Sequence, residues 1–555
     1  AGDSYFNTEK SFIPNNVYRG QEKGQAAIAD SNGYSWIWEN TLTYNKNFGD
    51  HSLNTVIGQS MQVMRNEFLL VAASDFDDNR LGFDAIQAGA EKTLMANGVS
   101  RRQLQSYLGR VNYGYNNKYL LTLSARIDGS SVFGDGNKYG VFPSLAAAWK
   151  IHEENFLSES ETISEMKIRL GIGRVGNEGI PPYSSLGLLE TTEAYFGENE
   201  IGKGSGPHSS KNTNLKWETT DQIDLGFDVN FLDRYTFTTD IYVKKTSDLL
   251  LNAPVPYTSG YKDALQNIGK LENKGVEFSI NANILNKTVV WDVNFNMAFN
   301  RNKITKLAKQ DGITAEPLLG VNGWTVVEEG QPIGNFYGFQ TDGIIQLGEN
   351  IAEIPYFVDY SPQPGDRKYV DTSNDGILNE DDKVLLGNAN PDFSFGFGTS
   401  LSYKNWDLSM FLQGVYGNEV ANFNKFSLES FDGLKNNSAV ALERWTPTNP
   451  TNKYPRANAD PRRSNTFSDT HVEDGSYMKL RDITLAYNFN NSKFKNSALS
   501  NAKIFASGKN LFVLTNYTGY DPEVNRFGED PLRFGVDYGS YPTTKIFTIG
   551  FNVTF

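Results

Sequence analysis

Apolar and polar residues change places at every second position along most of this chain. Trp291, Val293, Phe295, Met297 and Phe299 share one parity, and Asp292, Asn294, Asn296 and Asn300 hold the other. The chain closes the same way: Phe547, Ile549, Phe551, Val553 and Phe555 alternate with Thr548, Gly550, Asn552 and Thr554. Side chains of a strand point to opposite faces in turn, so each segment predicts a strand with one apolar and one polar face. Further members include Tyr34 to Tyr44, Tyr119 to Ile127, Ile223 to Phe231, Tyr235 to Val243, Val276 to Ile284, and Phe393 to Leu412. Counted at the nine to eleven residues that a tilted strand needs to cross a bilayer, the alternation predicts about sixteen strands.

The connections between these segments follow a second rule. Asn116–Lys118, Leu232–Arg234, Leu285–Thr288 and Lys404–Asn405 are tight turns rich in Asn, Asp and Lys. Between them run long excursions: Met64–Arg101, Asn177–Glu218, Thr246–Asn273, Lys303–Asp392 and Asn418–Tyr477. Short turns at one end and long loops at the other are the pattern of an antiparallel transmembrane β-barrel in an outer membrane. The polar faces carry Asp224, Asp228, Asp240, Lys244 and Glu277. A dry core would not tolerate them, so the interior is expected to hold water or a plug. Residues 1–33 are expected to be the remnant of an extracellular loop, and residues 34–555 the barrel.

Composition narrows the class. Hydrophobic residues make up only 39%, yet aromatics reach 13%, which suits the aromatic girdles of a barrel better than an enzyme core. The chain has no Cys, which removes disulfides, thiolate metal sites and Cys nucleophiles. A net charge of −14 argues against nucleic acid as a partner. No apolar run approaches the length of a transmembrane helix. The opening AGDSYFNTEK lacks the charged and apolar regions of a signal peptide, as expected of a processed or truncated chain.

Several motifs go beyond generic barrel character. Asp128-Gly-Ser-Ser-Val-Phe133, Lys138-Tyr-Gly-Val-Phe-Pro-Ser144 and Asn214-Leu-Lys-Trp-Glu218 are followed by Asn273-Lys-Gly-Val-Glu-Phe278 and Glu329-Gly-Gln-Pro-Ile-Gly334. Arg444-Trp-Thr-Pro447, Lys453-Tyr-Pro-Arg456, Asp474-Gly-Ser-Tyr-Met-Lys-Leu-Arg-Asp-Ile-Thr-Leu-Ala-Tyr487, Ser507-Gly-Lys-Asn-Leu-Phe512 and Gly519-Tyr-Asp-Pro-Glu523 complete the series. In this order, from about residue 100 to the C-terminus, they resemble the SusC/RagA family of TonB-dependent transporters. The resemblance implies an active importer with a plugged barrel of about twenty-two strands. It also implies a SusD-like surface lipoprotein as lid and energy supplied through TonB. The implied cargo is oligosaccharide, or oligopeptide in some members. The plug, the TonB box and the first strands have no counterpart here, so the chain is expected to be the C-terminal portion. Open sheet edges are not viable in lipid, so another piece must close the barrel. Two other readings are a siderophore or cobalamin receptor, which would lack the lipoprotein, and a non-transporting adhesin barrel.

Candidate chemistry is sparse, and no enzyme and no required cofactor are expected. Asp371, Ser373, Asp375, Ile377, Asn379 and Asp382 match the ligand positions of an EF-hand-type loop, with Gly376 at the sharp turn. A structural calcium ion and a metal-free acidic turn both account for this run. Gly171-Ile-Gly-Arg-Val-Gly176 spells the dinucleotide fingerprint, but the following NEGIPPYSS cannot start a helix, so no phosphate site is expected. His51, His152, His208 and His471 lack ligand spacing. Aromatic rings on long loops suit stacking against sugar faces, which makes Trp324, Tyr337, Tyr360, Trp445 and Tyr454 the candidate substrate contacts; loop packing is the plainer alternative for each.

Overall fold

The computed structural model describes residues 2–13, 24–76, 78, 80, 82–195, 201–261, 263–307, 312–314, 317–431, 436–458, 466–489, 501–528, 530 and 532–554. The chain divides into two compact units. The first is Ala1–Ala148, Gly171–Gln222 and Thr246–Ile268; the second is Trp149–Leu170, Ile223–Lys245 and Gly269–Phe555.

In the first unit, strands Gly2–Ile13, Gly24–Phe48, His51–Phe76, Glu91–Tyr115 and Tyr119–Ser130 pair antiparallel in sequence order. The reversal through Asn116–Lys118, between the paired Tyr115 and Tyr119, places Asn116 and Asn117 at positive φ, 54° each, the left-handed region that Asn tolerates. Trp36, Trp38, Leu42 and Tyr44 all lie exposed along one face, in the parity that the alternation predicts.

The second unit repeats this logic. Strands Lys270–Asn286, Val289–Lys306, Phe393–Tyr403, Trp406–Tyr416, Tyr477–Asn488, Asn501–Lys509 and Ile546–Thr554 pair successively and antiparallel. On the last strand Phe547, Ile549 and Phe551 are 76%, 75% and 76% exposed. Two rings and a branched chain this open in one row would be strongly unfavourable in water, so this face must meet an apolar medium. Among the described residues seventeen strands belong to ladders of this kind, close to the about sixteen expected. Phe555 lies outside the described residues.

Two expectations about loops need correction. Residues 1–33 hold the strand Gly2–Ile13 and the start of Gly24–Phe48, paired from Gly2↔Trp36 to Ile13↔Gln25; residues 14–23 fall outside the described residues. The excursion Met64–Arg101 is likewise a continued ladder, reaching Ser74↔Glu91. Strict alternation fails there, since neighbours Phe68 and Leu69 are both exposed. A ladder that extends past the apolar medium keeps its backbone hydrogen bonds but loses the one-sided environment that writes the pattern.

The quoted motifs form cores. In the first unit Val132, Phe133, Phe142, Leu215 and Trp217 pack together, with Phe133 and Phe142 5.1 and 5.3 Å from the Trp217 ring. The Trp217 indole N–H donates to the Lys138 carbonyl at 2.9 Å. Gly171–Gly176 lies within the strand Ile163–Asn177, which leaves no helix N-terminus for a pyrophosphate.

Candidate functional site

The long excursions of the second unit build a body of their own. Short strands Ile313–Thr314, Thr325–Val327, Asn335–Phe339 and Lys383–Asn388 form one sheet, and Glu419–Asn422, Val472–Asp474 and Val536–Asp537 form another. Their core holds Val321, Trp324, Phe336, Phe423, Phe426 and Phe467. Asn422 caps the helix Phe423–Leu428, accepting from the N–H groups of Asn424 and Lys425.

Beside this core lies a cleft of about 390 Å³, lined among others by Phe339, Phe357, Tyr360, Tyr369, Arg367 and Glu429. Phe339, Phe357 and Tyr369 stand edge to face, with centroids 5.3 to 5.8 Å apart. Such rings give a rigid apolar wall at low conformational cost. The polar wall is equally ordered. Asp366, only 2% exposed, accepts from Tyr360 Oη at 2.8 Å and from Arg456 Nε at 2.7 Å. Asn458 Nδ2 donates to Tyr360 Oη at 3.1 Å. Burial raises the Glu429 carboxyl above its ordinary range against the pull of Lys425. His471 borders the same cleft, packed against Phe426 and Phe467.

The five predicted aromatic contacts are placed very differently. Trp324 is 0% exposed and packs on Phe423 at 5.2 Å, so it builds the core and offers no face to a ligand. Tyr337 is partly buried on the strand Asn335–Phe339, its N–H donating to the Trp324 carbonyl. Tyr360 lines the cleft. Trp445 is buried with its indole N–H on Gln346 Oε1 at 3.0 Å, and its backbone N–H donates to the Tyr454 carbonyl. The Tyr454 ring packs 6.0 Å from Phe431. Sequence reasoning missed Phe357, on a loop, and Arg367 and Tyr369, on the strand Arg367–Tyr369, whose three residues are too few for a period to reveal them.

The acidic loop folds on its own carboxylates. Asp371 accepts from the N–H groups of Asn374, Asp375 and Gly376 and from Ser373 Oγ. Gly376 N–H contributes most to holding the Asp371 carboxyl below its ordinary range. Asp382, fully buried, accepts from Thr372, Ser373 and Asn379, and Asp375 accepts from Ile377 N–H. Asn379 caps the short turn Glu380–Asp382. Among the described residues no group of three or more His, Asp or Glu side chains converges as a metal site.

The family model described as TonB dependent receptor-like, beta-barrel matches residues 1–511. The chain belongs to this family. TonB-dependent receptor P3 of Formosa agariphila is 37% identical over 541 residues, covering 96% of this chain and 53% of the relative. TonB-dependent receptor SusC of Bacteroides thetaiotaomicron is 31% identical over 474 residues, covering 82% of this chain and 44% of SusC. The RagAB peptide transporter structure aligns with a TM-score of 0.82 at 24% identity, over 100% of this chain and 59% of that one. The chain spans about half the length of the curated relatives it matches. As a TonB-dependent receptor of the SusC/RagA type it is an outer-membrane β-barrel protein, and its exposed apolar faces are the lipid faces.

Proposed function

We propose that the protein containing this chain imports a nutrient oligomer, an oligosaccharide in the first reading, across the outer membrane. In this proposal a SusD-like lipoprotein closes the extracellular side and TonB supplies energy through the plug. The observation that carries the reading is the likeness to SusC over 82% of the chain. The aromatic cleft of the loop body supports it, because ring faces stack on sugar C–H faces and its lining also contains the polar Arg367 and Glu429. Oligopeptide cargo, a siderophore or cobalamin, and a non-transporting adhesin are the alternatives.

The test uses the full-length gene in its own bacterium. Intact cells take up fluorescent neutral oligosaccharides, and both a gene deletion and a protonophore abolish uptake. Uptake that ignores the protonophore removes active transport, and loss of peptide uptake instead moves the cargo to oligopeptide. Co-purification of a lipidated partner separates this reading from a siderophore-type receptor.

A further inference from the structure

We propose that Arg65 and Arg101 bind the phosphate of a lipopolysaccharide in the outer leaflet of the membrane. The inference rests on the outer-membrane barrel and is independent of the imported cargo. Arg65 on the strand His51–Phe76 and Arg101 on the strand Glu91–Tyr115 are direct antiparallel partners. Directly opposed residues share a face, so two guanidinium groups stand side by side. That face is the lipid face: Tyr34 lies opposite Arg65, and the exposed Trp36 and Trp38 follow on the same parity.

Like charges directly opposite each other destabilise a ladder unless an anion meets them. The chain supplies one carboxylate. Glu67, two positions on and on the same face, pairs with Arg65 Nη2 at 2.5 Å, and Tyr34 hydrogen-bonds Arg65 as well. Among the described residues the buried Arg65 Nε has no acceptor, and the exposed Arg101 has no carboxylate partner. Two cations therefore share one anion, and a net positive charge remains with unused planar donors. Guanidinium groups hold such donors in the fork that phosphate oxygens fit.

Position selects the source of the phosphate. Arg65 stands fourteen positions past His51, and Arg101 fourteen before Tyr115, and both of these flank tight turns. At about 3.3 Å per residue and a tilt of about 40°, the pair lies about 35 Å from those turns, past an apolar band about 25 Å tall. Tight turns mark the periplasmic end, so the pair reaches the headgroups of the outer leaflet. Toward the membrane centre the same face carries Gln103, opposite Val63, and Gln105, opposite Met61. Gln105 Nε2 donates to Tyr107 Oη at 2.7 Å, and its Oε1 accepts from Tyr139 Oη at 3.2 Å. Amides and phenols at the edge of hydrocarbon need polar partners. A lipopolysaccharide anchor supplies them, because its head is a phosphorylated glucosamine with hydroxyls and amide-linked acyl chains. A glycerophospholipid has the phosphate but no sugar amide.

The experiment uses the full-length receptor, purified in mild detergent from its own outer membrane and washed free of lipid. Native mass spectrometry measures the binding of four probes: phosphorylated lipid A, the same lipid A after phosphatase treatment, phosphatidylglycerol and inorganic phosphate. The wild type is expected to prefer phosphorylated over dephosphorylated lipid A by about tenfold to a hundredfold. Arg65→Gln with Arg101→Gln is expected to erase that preference. Arg102→Gln, which removes a charge paired with Glu178 on the opposite face, is expected to keep it. Heat-modifiable migration checks that each barrel is folded, and the wild-type comparison needs no variant. Equal binding of the two lipid A forms overturns the phosphate site, and a preference that survives in the Gln pair overturns its assignment to these arginines. Phosphatidylglycerol bound as tightly as phosphorylated lipid A, or inorganic phosphate displacing it at equal concentration, overturns lipopolysaccharide as the occupant. None of these outcomes touches the import reading.

Discussion

At the scale of single residues the loop body depends on a few positions that tolerate one amino acid. Gly365 has φ +90°, and a Cβ there would sit 2.4 Å from Cε3 of Trp445. Its carbonyl also accepts from Arg456 N–H, which ties the turn to the Asp366–Arg456 pair. Gly365→Ala is expected to cost about 1–3 kcal/mol through the backbone alone and to displace the Trp445 ring. Tryptophan fluorescence of the folded protein checks it; an unchanged spectrum and unchanged stability would refute the close packing. Little of this was legible beforehand. Trp324, Tyr360 and Trp445 look alike as loop aromatics in the sequence, yet one builds a core, one lines a cleft and one covers a glycine. Their environments are set by partners such as Asp366 and Arg456, 90 positions apart, and no local pattern encodes such a pairing.

At the scale of elements, two devices hold the loops. Lys479 on the strand Tyr477–Asn488 is wholly buried against Asp521 and Glu523. Lys479→Met leaves both carboxylates without this cation and is expected to cost about 3–5 kcal/mol. Hydrogen exchange should show the loss at Thr518 to Thr543 first; protection there equal to wild type would show that the node holds nothing. The second device is His471. Burial, reinforced by Arg367 and Lys425, pushes its imidazole down to about 3, and Ser468 N–H donates to its Nδ1, which requires the neutral ring. The unfolded chain takes up a proton near pH 6.5 while the folded one does not, so stability falls as pH drops from 6.5 toward about 3. Amide exchange near Phe467 to Val472 should accelerate over that window, and His471→Leu should flatten the dependence. The strands themselves were readable in advance, except where ladders run beyond the membrane. Gly24–Phe48 has 25 residues against the nine to eleven that a crossing needs, and its outer part lacks a one-sided environment.

At the scale of the whole molecule, two solvents sort the side chains. Ile549→Arg puts a charge on the lipid face and is expected to cost about 2–4 kcal/mol if it lies near the midplane. Asn552→Arg, on the opposite parity, should be much milder. Equal losses in urea titrations of the folded barrel would overturn the face assignment. The all-β architecture, the tight turns and the identity of the lipid face were determined by the sequence alone. Alternation is a local property: the covalent geometry of a strand turns each successive side chain over, and lipid admits only the apolar ones. Only the tertiary structure decided where the loops lead. The Asp366–Arg456 pair, the Trp217 core and the Lys479–Asp521 node join residues far apart in the chain, through packing and hydrogen bonds that carry no period along it.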